Sequence, residues 1–179
     1  MSFEAVFPGI IDAEGPYSKE VGDSGGETCF GITRTYDADW DGFPVMEALQ
    51  KAGVPHGEWK NNQELMDKVK AFYAKKAADI SLDYLPEALH GILFGGCCNQ
   101  GYARVIHWLQ DALVELHQPV TADGHMGPAT IGACGKVEAA LLVDKLWRKR
   151  ATAYLVTANH HKDQVQDFIG WMNRLQGGL

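Results

Sequence analysis

Two carboxylates nine residues apart, Glu14 and Asp23, mark the part of this 179-residue chain whose residue types could do chemistry. Glu14 is followed by Gly15-Pro16-Tyr17, and Asp23 leads into Ser24-Gly25-Gly26-Glu27-Thr28-Cys29-Phe30-Gly31-Ile32-Thr33. Cleaving a glycosidic bond asks for two carboxyls in unlike surroundings. One keeps its proton near neutral pH and gives it to the leaving oxygen, and the other stays ionised to orient water or to stabilise a positively charged sugar. Glu14 continues the apolar stripe of a first helix, so desolvation and acidic neighbours favour its protonated form. Asp23, in a solvated turn, suits the ionised role. The plain alternative for Glu14 is a boundary residue that turns to solvent at Gly15-Pro16, and acids pair by accident in an acidic segment.

Other residues carry two readings each. Tyr17 either stacks on a sugar or holds the turn. Glu27 is either a third carboxylate of the site or a salt-bridged strand residue. Asn99 either donates to a ligand or closes a loop by bonding to backbone. Trp171 and Asn173 either line a cleft or, for Trp171 at helical spacing, join the core. His160-His161 point different ways from a helix end and are not read as a metal pair. Arg148-Lys149-Arg150 reads as a solvated helix face, with contact to an anionic polymer as the alternative.

The elements that must position these groups are mostly helices. Ser2 caps a first helix over residues 2–14, whose stripe is Phe3, Val6, Phe7, Ile10 and Ile11, with a kink expected at Pro8. Residues 15–26 are turn-rich, with a hairpin suited to Gly25-Gly26. Thr28 to Thr33 alternates as one short strand, with Cys29, Gly31 and Thr33 forming a small-residue face that could floor a cleft. Further helices are expected over Pro44–Ala52, from an Asn61 cap with Glu64 at the third position, and over Pro86–Phe94 up to a Gly95-Gly96 break. Others follow over Tyr102–Leu116, Pro128–Cys134, Glu138–Asn159 and Asp163–Leu175. The fold class is thus mostly α, with one small β-hairpin beside a cleft, and the division falls at 1–90 and 91–179, packed as one compact unit.

Composition narrows the function classes. The net charge is −7, and residues 1–50 hold ten acids against two bases. That front excludes non-specific nucleic-acid binding, which needs a basic surface. No apolar run reaches the length of a membrane helix, and the start lacks the marks of a signal peptide, so cytoplasmic synthesis without stable membrane insertion is expected. The four cysteines show neither a disulfide framework nor zinc spacing; no metal and no cofactor is expected.

The same motifs, in order along nearly the whole chain, resemble glycoside hydrolase family 108, muramidases of phage endolysins and of secretion-associated lysis proteins. The family's E-G-G-Y stands here as Glu14-Gly15-Pro16-Tyr17, and its D-P-G-G-E-T-N-F-G-I-T as Asp23 to Thr33. Asn99-x-Gly101, Leu109-Gln110-Asp111-Ala112-Leu113, Asp123-Gly124-His125-Met126-Gly127-Pro128-Ala129-Thr130 and Gly170-Trp171-Met172-Asn173-Arg174 continue the match into a type 3 peptidoglycan-binding region. The resemblance implies a lysozyme-like helical fold and Glu14 as catalytic acid. By analogy with phage-type lysozymes, Asp23 is the second carboxylate, and Cys29 or Thr33 lies near the attacking water.

Implied substrate contacts are Tyr17, Thr28, Thr33, Asn99, Trp171 and Asn173. The implied partner is the glycan strand of peptidoglycan, reached in the cell wall after release by a holin or other export partner. Pro16, Ser24 and Cys29 depart from the family pattern, and the last removes an asparagine's hydrogen bonds. A lytic transglycosylase and a non-catalytic wall-binding or secretion-accessory protein are the competing functions. The long loop between the carboxyls predicts the wide separation of an inverting enzyme, about 6.5–9.5 Å.

Overall fold

The computed structural model describes residues 3–19, 26–160, 170, 172 and 173. Seven helices and a three-stranded antiparallel sheet are found among them. In chain order these are α1 (Phe3–Glu14), β1 (Tyr17–Lys19), β2 (Glu27–Cys29), β3 (Ile32–Thr33), α2 (Phe43–Lys51), α3 (Gln63–Asp79), α4 (His90–Gln100), α5 (Tyr102–Glu115), α6 (Pro128–Cys134) and α7 (Ala139–His160). The fold is mostly α and lysozyme-like. Packing divides the chain into two compact units, one of residues Phe7–Lys76 and one of Met1–Val6 with Ala77–Leu179.

The Phe7–Lys76 unit holds the sheet. Its strands run in the order β1-β2-β3, with Tyr17 opposite Cys29 and Thr28 opposite Thr33. The single strand expected over Thr28–Thr33 is two strands joined by the two-residue turn Phe30-Gly31. Both turn residues have positive φ, 47° and 78°, the signature of a tight hairpin turn whose twist matches its strands. Alternation hid the turn because Phe30, a poor residue for the left-handed region, is buried together with its neighbours Cys29 and Ile32. Burial of an aromatic ring, worth about 2 kcal/mol, offsets a backbone cost of about 1–2 kcal/mol.

α3 presents Leu65, Val69 and Tyr73 to this unit's interior, the spacing of one helical face. Its cap is Asn62, whose Oδ1 accepts the Leu65 N–H at 2.9 Å, one residue later than the expected Asn61. Phe72, Tyr73, Trp40 and Phe43 meet edge to face, with Arg34 laid over the Phe43 ring.

The second unit is built on α4, α5, α6 and α7. Its core includes Leu89, Leu93, Val105, Leu109, Leu113, Leu142 and Leu146. The expected break at Gly95-Gly96 does not occur; α4 runs through both glycines. A Cβ on Gly96 would meet the Val105 methyls at 3.1 and 3.3 Å and Arg150 Nε at 3.4 Å, so the missing side chain is what lets the helices close.

Arg150 is a second correction. It is not on a solvated face: its relative exposure is 0%, and it donates to Gln100 Oε1 at 2.8 Å, Ile92 O at 3.1 Å and Tyr154 Oη at 3.4 Å. Its neighbours Arg148 and Lys149 stay at the surface, paired with Asp144 and with Asp111 and Glu115.

The Asp123–Thr130 segment is organised by one side chain. Gln110, 1% exposed, accepts the N–H groups of Asp123 and Gly124 on Oε1 at 3.0 and 2.8 Å. Its Nε2 lies 2.8 Å from Asp123 Oδ1, 2.9 Å from His125 O and 3.2 Å from Thr130 Oγ1. Gly124 has φ 76° and would drive a Cβ to 2.9 Å from Ala103 O. The L-Q-x-A-L and D-G-x-x-G-P-x-T motifs are therefore two halves of one internal clasp.

Candidate active site

Glu14 is the last residue of α1 and is half-buried. The helix stops there because Gly15 reverses the sign of φ, to 71°, and donates its N–H to Ile11 O at 3.1 Å. Glycine makes that left-handed step without steric cost. Pro16 follows, and its carbonyl accepts the Phe30 N–H at 3.3 Å. The residue that stiffens the turn after Glu14 thus also ties the helix end to the hairpin turn.

The Glu14 side chain lies over Gly31. A Cβ on that glycine would stand 2.8 Å from Glu14 Cγ and 2.8 Å from Oε2, and 2.7 Å from Tyr73 Oη. Any larger residue would push the carboxyl away. Tyr73, buried on α3, donates its hydroxyl hydrogen to Phe30 O at 2.8 Å. Helix end, turn and α3 therefore converge on one carboxyl.

Tyr17 belongs to a neighbouring network. Its hydroxyl donates to Glu27 Oε1 at 2.9 Å, and its ring packs on His56 and Trp59 at centroid distances of 4.3 and 5.5 Å. Arg34 Nε donates to Glu27 Oε2 at 2.8 Å, and the other arm of Arg34 reaches Glu47 Oε1 at 2.8 Å. Burial alone would raise the Glu27 carboxyl, but the hydrogen bonds of Arg34 and Tyr17 and the charges of Arg34 and Lys19 outweigh it and hold it below the usual carboxylate range. Burial first, then the bond to Glu27, pushes the Tyr17 hydroxyl up. Glu27 is thus the salt-bridged strand residue of the two readings.

Thr28 Oγ1 donates to Ser18 O at 3.4 Å, a bond within the sheet. Thr33 Oγ1, across from it in register, is buried and has no hydrogen-bond partner among the described residues. Cys29 is fully buried and burial lifts its thiol to about 12, so it stays neutral and does not floor an open cleft. Asn99 lies in the second unit, where its Nδ2 donates to Gly95 O at 2.8 Å, one turn back along α4. Asn173 is exposed and helical. Asp23 and Trp171 lie outside the described residues. Among the described residues, no group of three or more His, Cys, Asp or Glu side chains could hold a metal ion.

Sequence reasoning missed Tyr73, Arg34 and His56 as parts of this region. Tyr73 carried a signal only as one member of an apolar stripe; nothing along the chain ties position 73 to position 30.

A half-buried glutamate at a helix end is thus set over the glycine of a hairpin turn in a mostly helical, lysozyme-like chain. Residues 7–101 match the glycosyl hydrolase 108 family, and residues 104–176 match a predicted peptidoglycan domain. The chain belongs to the glycosyl hydrolase 108 family, and with its second region it is a peptidoglycan hydrolase acting on the cell wall. Among solved structures it is similar to Brucella abortus SagA, at 23% identity and a TM-score of 0.67, over 98% of this chain and 90% of that one. That likeness supports the fold. No curated protein matches the chain.

Proposed function

We propose that the chain is an N-acetylmuramidase that cuts the β-1,4 bond between N-acetylmuramic acid and N-acetylglucosamine, with Glu14 as general acid. The observation that carries this reading is the Glu14 carboxyl held over Gly31 beside the Tyr73 hydroxyl. Its place at the carboxyl end of α1 supports the acid role, because the negative end of the helix dipole disfavours an ionised carboxylate there.

In the proposed reaction Glu14 gives its proton to the glycosidic oxygen as the bond to the muramic anomeric carbon breaks. Positive charge develops on that sugar, and water adds to the anomeric carbon. Asp23 is assigned to the water or to the developing charge.

Digestion of purified sacculi followed by mass spectrometry of the fragments tests the reading. Reducing muramic ends are expected. Anhydromuramic ends would identify a lytic transglycosylase instead, and reducing glucosamine ends would place the cut at the other linkage.

A further inference from the structure

We propose that the cleft between α5 and α7 is a binding site for the carboxylate-bearing peptide side chain of peptidoglycan, with the Trp108 indole as its platform and Arg148 as its anion contact. The proposal rests on peptidoglycan being the substrate and names the part of it that the second region holds.

The motifs that mark this region bond to one another. Gln110 takes up the polar atoms of the Asp123–Thr130 segment, so those atoms are not available to a ligand. A cleft of about 320 Å³ is open elsewhere on the same unit, lined by Trp108, Arg148, Lys149, Thr152 and Ala153. All five fall inside residues 104–176, the stretch matched to the peptidoglycan domain. The volume is at the lower end of the range of small-ligand sites.

The lining supplies two kinds of contact. Trp108 packs on the core cluster of this unit yet is only partly buried, so a ring held from beneath shows surface to the cleft. A ring already fixed loses little freedom when a ligand lands on it. On α7, Arg148 and Thr152 are one turn apart, as are Lys149 and Ala153, and make two adjacent ridges. The small side chains of Thr152 and Ala153 leave the space, and the longer ones bring charge to it.

That charge is positive and only partly satisfied. Asp144 takes Nε of Arg148 at 2.8 Å, and the arginine side chain remains 72% exposed. Its two terminal nitrogens make no hydrogen bond among the described residues. Lys149 stands 3.4 Å from Asp111 and 3.6 Å from Glu115, longer than a close charge-assisted bond. Lys145 adds a third base, on Glu115 at 2.6 Å. Exposed pairs of this kind contribute little, so a ligand carboxylate can share these bases. A neutral glycan would use the ring alone. A carboxylate beside an apolar group uses both the ring and the planar fork of the arginine, and peptidoglycan carries such carboxylates on its peptides.

The full-length chain is titrated calorimetrically with a disaccharide tetrapeptide and with the same compound after amidation of its carboxylates. The NMR signal of the Trp108 indole N–H, identified by its loss in Trp108→Leu, reports the place of binding, and thermal melting is run alongside. The native peptide should bind and shift that signal, and the amidated one should bind about tenfold more weakly. Trp108→Leu should raise Kd about tenfold, the worth of one stacked ring. Arg148→Gln, at an exposed position that leaves the core untouched, should raise it about threefold at low salt, and only for the unamidated peptide.

Equal affinity for the two peptides overturns the proposal. So does saturation that leaves the Trp108 indole signal in place, or an Arg148→Gln chain that binds as the parent does while Trp108→Leu weakens only in step with its lowered midpoint; the cleft is then a gap in helix packing or a seat for the chain's own residues. The titration needs no turnover. A parent chain that releases no fragments from sacculi therefore refutes the muramidase reading and leaves this result standing.

Discussion

The polar motifs of the two units are held in different ways. In the Ala77–Leu179 region, Gln110 takes up the polar atoms of the Asp123–Thr130 segment, and Arg150 lies fully buried against Gln100, Ile92 and Tyr154. In the Phe7–Lys76 unit, Tyr17 and Arg34 hold Glu27 in a network of their own, and strained backbone lies beside it. Glu14 is half-buried over a glycine, Thr33 Oγ1 has no hydrogen-bond partner among the described residues, and the turn holds Phe30 at positive φ. Closed networks make a region rigid and unique; strained backbone and an orphan hydroxyl are tolerated where chemistry needs them. A motif's presence in the sequence thus does not say whether its polar atoms face a ligand or one another.

Four substitutions sharpen that contrast, taken from the largest expected effect to the smallest. Gly31→Ala places a methyl into the space of the Glu14 carboxyl and Tyr73 hydroxyl and strains the turn, at φ 78°. It should cost on the order of 10²-fold or more in kcat, the scale of a misplaced catalytic group, in wall-clearing assays. Arg150→Ala should lower stability by about 3–5 kcal/mol through the cavity and the lost bonds to Gln100 and Ile92, read as a thermal midpoint lower by roughly 10 °C. Activity per folded molecule should be unchanged.

Gln110→Ala strips the clasp from Asp123 and Gly124 and should cost about 2–4 kcal/mol, again without a catalytic signature. A selective loss of glycan binding in that variant at full stability would mean that the clasp motif faces a ligand after all. Glu27→Gln has the smallest expected effect. Glu27 has a lowered pKa when folded, so its contribution is complete above the unfolded value near 4.3 and is lost as pH falls through the folded one. The parent's midpoint should drop on acidification below about pH 4.5, and the variant should show a flatter acid limb. Because the pair is near the surface, the difference should be about 0.5 kcal/mol or less.

Much of the scaffold was legible from spacing. The helix Pro128–Cys134 has its expected bounds, and α1 ends at Glu14 because Gly15 follows it. The departures have specific causes. Adjacent asparagines at 61 and 62 offer equivalent caps, and only the Leu65 N–H selects Asn62. Gly95-Gly96 looks like a breaker, but buried glycines also serve close helix packing. Arg150 sits in a basic run that resembles a solvated face, and its partners Ile92 and Gln100 lie 58 and 50 residues away. The Phe30-Gly31 turn was masked by alternation that a one-strand reading also satisfies. At the site, the Glu14 position was readable from the apolar stripe, whereas the Tyr73 partnership depends on a contact 43 residues long in sequence.

The proton donation proposed for Glu14 can be tested most directly by changing how much the leaving group needs it. Glu14→Gln should lose about 10²–10⁴-fold on peptidoglycan, whose sugar leaving group is poor without protonation. On a dinitrophenyl glycoside of the same sugars, which departs unprotonated, the variant should lie within about tenfold of the parent. Equal losses on both substrates would contradict the account, because Glu14 would then be holding the structure or the substrate and not supplying the proton.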